Sequence, residues 1–347
     1  MFSLDASKAF DIVDHATLLS LLLSKRVPLC FVNIMIDWYS KLYIVVIWND
    51  AESAVLHVRS GVRQGGVLSP ILFNFYVNSL VCHLKNSDLG CHIHDLYLGC
   101  ILYADDILLL SASVCMLQKM IDICVSVSQD LLLTFNSSKS HCISIGPNKG
   151  NHIARLELNN IKLEWTSKLK YLGTYLVSGS TFSICLDSVR QKYFAAANAL
   201  NAHCKYVAEP VKLNLFESYC LPILMYGIDC VNLSPHQTNE LNVCWNNAYR
   251  KIFGLKRYES VKTLIYFMQR IDFLRLYDLK RLIFLNKLYF NQHGITSKLL
   301  QLFLTFDDIW HLYSNYGLHV RSKPSAIKDS VYRSFETVAM SRLLLDN

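Results

Sequence analysis

Up to about residue 180 the apolar positions fall in short runs broken by turn residues, and beyond about Phe182 they recur at helical spacing to the C-terminus. The first pattern predicts mixed strands and helices, the second a helical region. Residues 2–4 read as the end of a strand. Asp14 is placed to N-cap a helix over 16–25, which Pro28 stops. Residues 29–42 form a second helical stretch. Residues 43–48 and 54–59 are β-rich runs around Asn49-Asp50, a hairpin pattern. Residues 60–68 are glycine-rich and irregular. Ser69-Pro70 then gives an N-cap with proline at the first helical position, opening a helix to about Lys85. Apolar strands over 96–103 and 107–111 flank Ala104-Asp105-Asp106, and 114–133 is an amphipathic helix. Residues 141–145 read as a strand, 155–158 and 161–165 as a hairpin around Asn159-Asn160, and 171–177 as one further strand.

Composition narrows the class. The chain has 347 residues, 52% apolar and 18% charged, which is enough for two or three packed units and rules out general disorder. No repeat of solenoid length is visible. No apolar core of a secretory leader follows Met1, and the most apolar stretch, 96–110, is cut by Asp105 and Asp106, so a membrane span is not expected. Twelve cysteines without a C-x-x-C pair read as reduced thiols of an intracellular protein, nuclear or cytoplasmic. The net charge is +7, and residues 251–290 alone carry nine Lys/Arg against three acids, interleaved with aromatics. Basic plus aromatic is the footprint of a polyanion-binding surface, or of a solvated helix face with its rings turned inward.

Two acidic points each end an apolar strand: Asp5, and the adjacent pair Asp105-Asp106. Neighbouring carboxylates in an apolar hairpin are costly to desolvate and repel each other. A divalent cation relieves both problems, and Mg²⁺ takes carboxylate oxygens while leaving positions open for phosphates. An isolated Asp-Asp step would read as a solvated turn, so the surroundings decide.

Those surroundings carry a resemblance. Leu4-Asp5-Ala6-Ser7-Lys8-Ala9-Phe10-Asp11 resembles motif A of the reverse transcriptases, specifically the non-LTR (LINE-type) retrotransposon branch. Ser60-Gly61-Val62-Arg63-Gln64-Gly65-Gly66, running on through Ser69-Pro70 to Asn74, resembles motif B. Tyr103-Ala104-Asp105-Asp106 resembles motif C, Asn136-Ser137-Ser138-Lys139 motif D, and Tyr171-Leu172-Gly173 motif E. The run from Tyr219 through Pro222 to Tyr226-Gly227, and Trp245-Asn246-Asn247-Ala248-Tyr249-Arg250-Lys251, resemble the region that follows the palm in such elements.

The resemblance implies an α+β fold: an RRM-like antiparallel palm with partial fingers over 1–180, then a mostly helical thumb and C-terminal region over 181–347. It implies an RNA-directed DNA polymerase that joins dNTPs to a primer 3′-hydroxyl on two Mg²⁺ ions, or Mn²⁺. Asp5, Asp105 and Asp106 match the metal ligands, and Lys139 the lysine that protonates the departing pyrophosphate. Phe10 matches a steric gate against the ribose 2′-hydroxyl. Arg63, Gln64, Gly65 and Tyr103 match positions around the incoming nucleotide and template, and Leu172 and Gly173 the primer grip. An RNA template, a DNA primer or target and an element-encoded RNA-binding protein are the implied partners. Motif A begins at residue 4, so the expectation is an N-terminally truncated element without most of its fingers or its endonuclease. That leaves a second reading, an inactive remnant that at most binds nucleic acid. A group II intron maturase would share the same palm.

Overall fold

Phe2 and Leu4 alternate with Ser3 and Asp5, and that period of two builds the first strand, β1 (Phe2–Asp5), with both apolar side chains fully buried. The computed structural model describes residues 1–147, 154–291, 294–303 and 307–343. The chain divides into two units, Met1–Ile184 and Cys185–Asn347. The whole is a mixture of helices and small antiparallel sheets, as expected from the sequence.

In the first unit β1 is followed by α1 (His15–Ser24) and α2 (Leu29–Ser40). Asp14 caps α1 as expected, its Oδ2 accepting the Thr17 N–H at 2.7 Å. An antiparallel ribbon follows: β2 (Tyr43–Ile44), β3 (Ile47–Trp48), β4 (Ala51–Glu52) and β5 (Leu56–His57). Asn49 and Asp50 turn it at φ +46° and +63°, the left-handed pair a tight hairpin needs. The strands are shorter than the β-rich runs, and their side chains stay exposed.

Helix α3 (Ser69–Asn86) starts at Ser69 rather than after it. The Ser69 hydroxyl does not cap the helix but donates to the Arg63 carbonyl, closing the loop before it. The apolar run over 96–103 is broken. β6 (His92–Ile93) pairs with β7 (Leu96–Tyr97), and Leu98-Gly99 separates that hairpin from β8 (Cys100–Tyr103). A side chain at Gly99 would lie 2.6 Å from the Tyr97 ring, so the break needs glycine.

β9 (Asp106–Leu109), α4 (Val114–Asp130) and β10 (His141–Cys142) complete a sheet of order β10-β1-β9-β8, antiparallel throughout. Phe2, Leu4, Ile107 and Leu109 share one core with Leu72, Phe73, Tyr76 and Leu80 of α3 and Met120, Ile121 and Cys124 of α4. The apolar face of the sheet thus faces helices, and the alternate residues, Asp5 and Asp106 among them, lie on the other face.

β11 (Leu156–Leu158) and β12 (Ile161–Leu163) form the hairpin expected around Asn159-Asn160. Residues 171–177 are not one strand. β13 (Lys168–Tyr171) and β14 (Thr174–Val177) are two arms turned by Leu172 and Gly173, with β15 (Ser183–Cys185) beside β14.

The second unit is helical: α5 (Asp187–His203), α6 (Glu209–Tyr219), α7 (Leu221–Leu224), α8 (Pro235–Phe253), α9 (Lys262–Phe267), α10 (Phe273–Phe290), α11 (Ile295–Phe303), α12 (Asp307–Ser314) and α13 (Pro324–Leu343). Ser234 and Gln237 form a capping box at the start of α8, and Gly254 at φ +67° ends it. Tyr193, Phe216, Trp245 and Tyr249 make a buried aromatic chain at centroid spacings of 5.8, 5.6 and 5.3 Å.

The basic segment over 251–290 splits. Phe273 and Tyr277 enter the core, and Arg270 and Arg275 are taken up by Glu217 and Asp272, each at 2.8 Å. Arg257, Lys280 and Lys287 stay exposed. The second unit holds twenty Lys/Arg against thirteen Asp/Glu, the chain's whole +7, while the first holds fourteen of each. No helix among the described residues is long and apolar enough to cross a membrane.

Candidate active site

Asp5 ends β1 and Asp106 begins β9, and the antiparallel register sets them directly opposite each other. Residues paired this way project from the same face, so the two carboxylates face a common space. Asp105 comes from the turn between β8 and β9, where Tyr103 pairs with Asp106. That turn holds Ala104 at φ +53°, a left-handed conformation costly for a residue with a Cβ. The electrostatics confirm the crowding. Burial first, then the charges of Asp105 and Asp5, push the Asp106 carboxyl above the ordinary carboxylate range.

The turn over 136–139 holds Asp5 in place. The Asn136 N–H donates to the Asp5 carbonyl at 2.9 Å, and the Asp5 N–H donates to Ser140 Oγ at 3.1 Å. Ser140 Oγ in turn donates to the Asn136 carbonyl at 2.7 Å. Asn136 Oδ1 accepts from the Ser138 N–H and hydroxyl, which shapes the turn. Lys139 rides on it with an exposed side chain that makes no ion pair among the described residues.

The glycine-rich loop is tied to the segment after Asp5. Gln64 Nε2 donates to Asp11 Oδ1 at 3.0 Å, the Val62 N–H to the Phe10 carbonyl at 2.8 Å, and the Gly61 N–H to the Val13 carbonyl at 2.8 Å. A side chain at Gly61 would meet the Asp11 backbone at 3.0 Å, so this approach requires glycine. His15 braces the loop with Nε2 2.9 Å from the Gly61 carbonyl oxygen and its ring stacked on Tyr39.

Phe10 stacks on Phe73 of α3 at 4.7 Å. Phe10, Gln64, Gly65, Gly66 and Asp105 line one cavity of about 470 Å³, so residues from three separate segments share a space. Arg63 lies with Gln64 and Gly65 on an adjoining cavity of about 530 Å³ floored by Tyr39 and Leu72. Tyr103 is 65% exposed. The Leu172-Gly173 turn, at φ +45° and +80°, sits beside Tyr171. Burial and the Asp106 charge push the Tyr171 phenol up to about 12, which puts this hairpin within electrostatic reach of the carboxylates.

Residues 1–176 match the reverse transcriptase (RNA-dependent DNA polymerase) family. The chain belongs to that family. It is 24% identical over 261 residues to a retrovirus-related Pol polyprotein from the type-1 retrotransposable element R2 of Popillia japonica, covering 73% of this chain and 42% of the relative. It is also 24% identical over 271 residues to an RNA-directed DNA polymerase from the mobile element jockey of Drosophila funebris, covering 75% of this chain and 29% of the relative. A type-1 R2 Pol polyprotein of Nasonia vitripennis is 30% identical over 181 residues, 49% of this chain. The chain therefore spans less than half the length of these relatives, and the match places it among non-LTR reverse transcriptases.

Reverse transcriptases use divalent metal ions, and the donor set here fits one. Three carboxylates offer hard oxygen ligands, and two of them, Asp5 and Asp106, stand at register-paired positions of neighbouring strands. Among the described residues no three such side chains are drawn together closely enough to form a ready-made metal cage. Two contributors were not evident from the sequence. Ser140, 135 residues from Asp5 in the chain, has no motif of its own. His15 lies between the Asp14 cap and the expected helix and carries no signal of its contact with Gly61.

Proposed function

We propose that the first unit is the palm of a reverse transcriptase with part of its fingers, the second its thumb and C-terminal region, and that the chain catalyses RNA-templated DNA synthesis. The observation that carries this reading is the pairing of Asp5 with Asp106 across β1 and β9, with Asp105 reaching the cavity lined by Phe10, Gln64 and Gly65. Its partners are an RNA template, a DNA primer or target and dNTPs, with an element-encoded RNA-binding protein in the parent element.

Asp5, Asp105 and Asp106 would hold the two Mg²⁺ ions, which when bound neutralise phosphate charge and orient the attacking hydroxyl and the leaving pyrophosphate. Asp5 is pre-positioned for this, because its backbone is pinned on both sides by Asn136 and Ser140. Phe10 backs onto Phe73 and cannot retreat, so its ring is a firm wall against a ribose 2′-hydroxyl. Gly65 and Gly66, which lack side chains, let backbone approach the incoming nucleotide, and Gln64 is oriented by Asp11. Arg63 and Tyr103 lie exposed for template or phosphate contact. The exposed Lys139 ammonium carries the proton that the departing pyrophosphate takes up. Leu172 and Gly173 present a backbone turn to the primer end.

Primer extension on an RNA template with dNTPs and Mg²⁺ tests the proposal. Incorporation by the wild type and none by Asp105→Asn/Asp106→Asn is expected. Extension that persists in the double variant overturns it.

A further inference from the structure

The helical unit contains a cavity that the polymerase reading does not use. It measures about 630 Å³, within the range of ligand pockets. Tyr266 and Phe267 at the end of α9 form one wall, and Tyr332 and Phe335 of α13 the other. Arg270 and Gln269, from the turn after α9, and the exposed Glu336 of α13 complete the lining. Phe267 is 68% exposed, a large apolar ring left in water beside the opening.

Arg270 is unusually constrained for a pocket arginine. Its Nε donates to both oxygens of Glu217, at 3.0 and 2.8 Å, and a terminal nitrogen donates to Asn214 Oδ1 at 2.8 Å. With Nε and both terminal nitrogens committed, the guanidinium is held in one plane at the cavity. Gln269 beside it ends α9 in the left-handed conformation usual at a helix C-terminus, φ +54°, its N–H donating to the Tyr266 carbonyl at 2.8 Å. Its amide supplies both a donor and an acceptor.

Aromatic faces, a fixed guanidinium plane and a hydrogen-bonding amide together suit a flat heteroaromatic ring with a polar edge. The surroundings favour one that carries phosphates. The unit bears the chain's entire positive excess and Arg333, next to Tyr332, is exposed, while the Glu336 carboxylate in the lining can accept from a base's amino group. We propose that this cavity takes an unpaired nucleobase of single-stranded nucleic acid. The proposal goes beyond polymerisation and does not depend on it.

The test uses the full chain carrying Asp105→Asn/Asp106→Asn, so that the outcome is independent of catalysis. Short single-stranded DNA and RNA oligonucleotides with a central 2-aminopurine report stacking by fluorescence and binding by anisotropy. Quenching on binding is expected, with Phe267→Ala and Tyr332→Leu each removing the quench and weakening affinity roughly 5- to 150-fold, the range for loss of one stacked base. Comparing the DNA and RNA arms shows which strand the pocket prefers. Phe267 is an exposed position, so its replacement leaves the fold intact, which circular dichroism checks. Unchanged quenching and affinity in a folded Phe267→Ala protein overturn the proposal. So does an oligonucleotide abasic at the probe position that binds as tightly as the intact one.

Discussion

Asp106 is where folding and the proposed function pull against each other. Its carboxyl is half-buried beside two like charges, and its pKa is raised. A raised folded-state value means that ionising the group costs stability. The cost is absent below the unfolded carboxylate range and grows as pH rises through the folded value. Asp106→Asn is therefore expected to raise the melting temperature at pH 7. The gain should vanish near pH 3, where the wild-type carboxyl is protonated too. Added Mg²⁺ should raise the wild-type melting temperature and leave the variant nearly unmoved. Calorimetry across pH with and without the cation checks all three. Phe10 gives a second test at this scale. Phe10→Val keeps an apolar contact with Phe73 but opens the wall, and should lower discrimination against ribonucleotides by roughly 10- to 200-fold, read as the ratio of kcat/KM for the two sugars.

At the scale of elements, the supports of Asp5 lie in a turn rather than in a motif side chain. Ser140→Ala removes the acceptor of the Asp5 N–H and should cost about 1 kcal/mol of stability while lowering kcat more than it raises KM, because it moves a proposed metal ligand and not a substrate contact. The hairpin at Leu172-Gly173 shows why some elements could be read from the sequence and others could not. Asn49-Asp50 and Asn159-Asn160 announced their turns, since asparagine and aspartate tolerate positive φ, and Asp14 announced a cap. Leu172 takes the same left-handed conformation at φ +45° without being a turn residue, so the pattern ran on as one strand through 171–177. The split at Leu98-Gly99 was hidden for a related reason. A continuous apolar run carries no mark of where a chain must bend around the Tyr97 ring. The carboxylates and the glycine-rich loop were legible because their chemistry restricts residue type. Ser140 was not, because any small donor-acceptor at that place in space would serve. Leu172→Asn should stabilise the hairpin by about 1 kcal/mol, as relief of left-handed strain in a residue with a bulky side chain. If the Leu172 side chain also seats the primer end, the same change lowers extension from a fixed primer, so stability and activity move in opposite directions.

Across the whole molecule, charge and chemistry are divided between the units. The first unit is electrically neutral and carries the carboxylates, while the second carries the entire +7. Affinity for a polyanion should therefore reside in the helical unit, even though the proposed reaction occurs in the other. Lys280 and Lys287 are the sharpest probes, because both are exposed and, seven residues apart on α10, they share one face of that helix. Arg270 and Arg275 would be poor probes despite lying in the same basic segment, since their charges are already paired with Glu217 and Asp272 and their loss would disturb the core. Each lysine that neutralises one phosphate should contribute about 0.7–0.9 to the slope of log affinity against log salt. Replacing both with alanine is then expected to flatten the slope by roughly 1.5 and to weaken binding similarly for all sequences. The Asp105→Asn/Asp106→Asn variant should steepen the slope little or not at all, because those carboxylates lie in the neutral unit. Anisotropy titrations from low to moderate salt with single-stranded RNA separate these outcomes. An unchanged slope in the double lysine variant would move the electrostatic surface off α10, leaving Arg257, Arg321 and the basic residues of α13 to account for it.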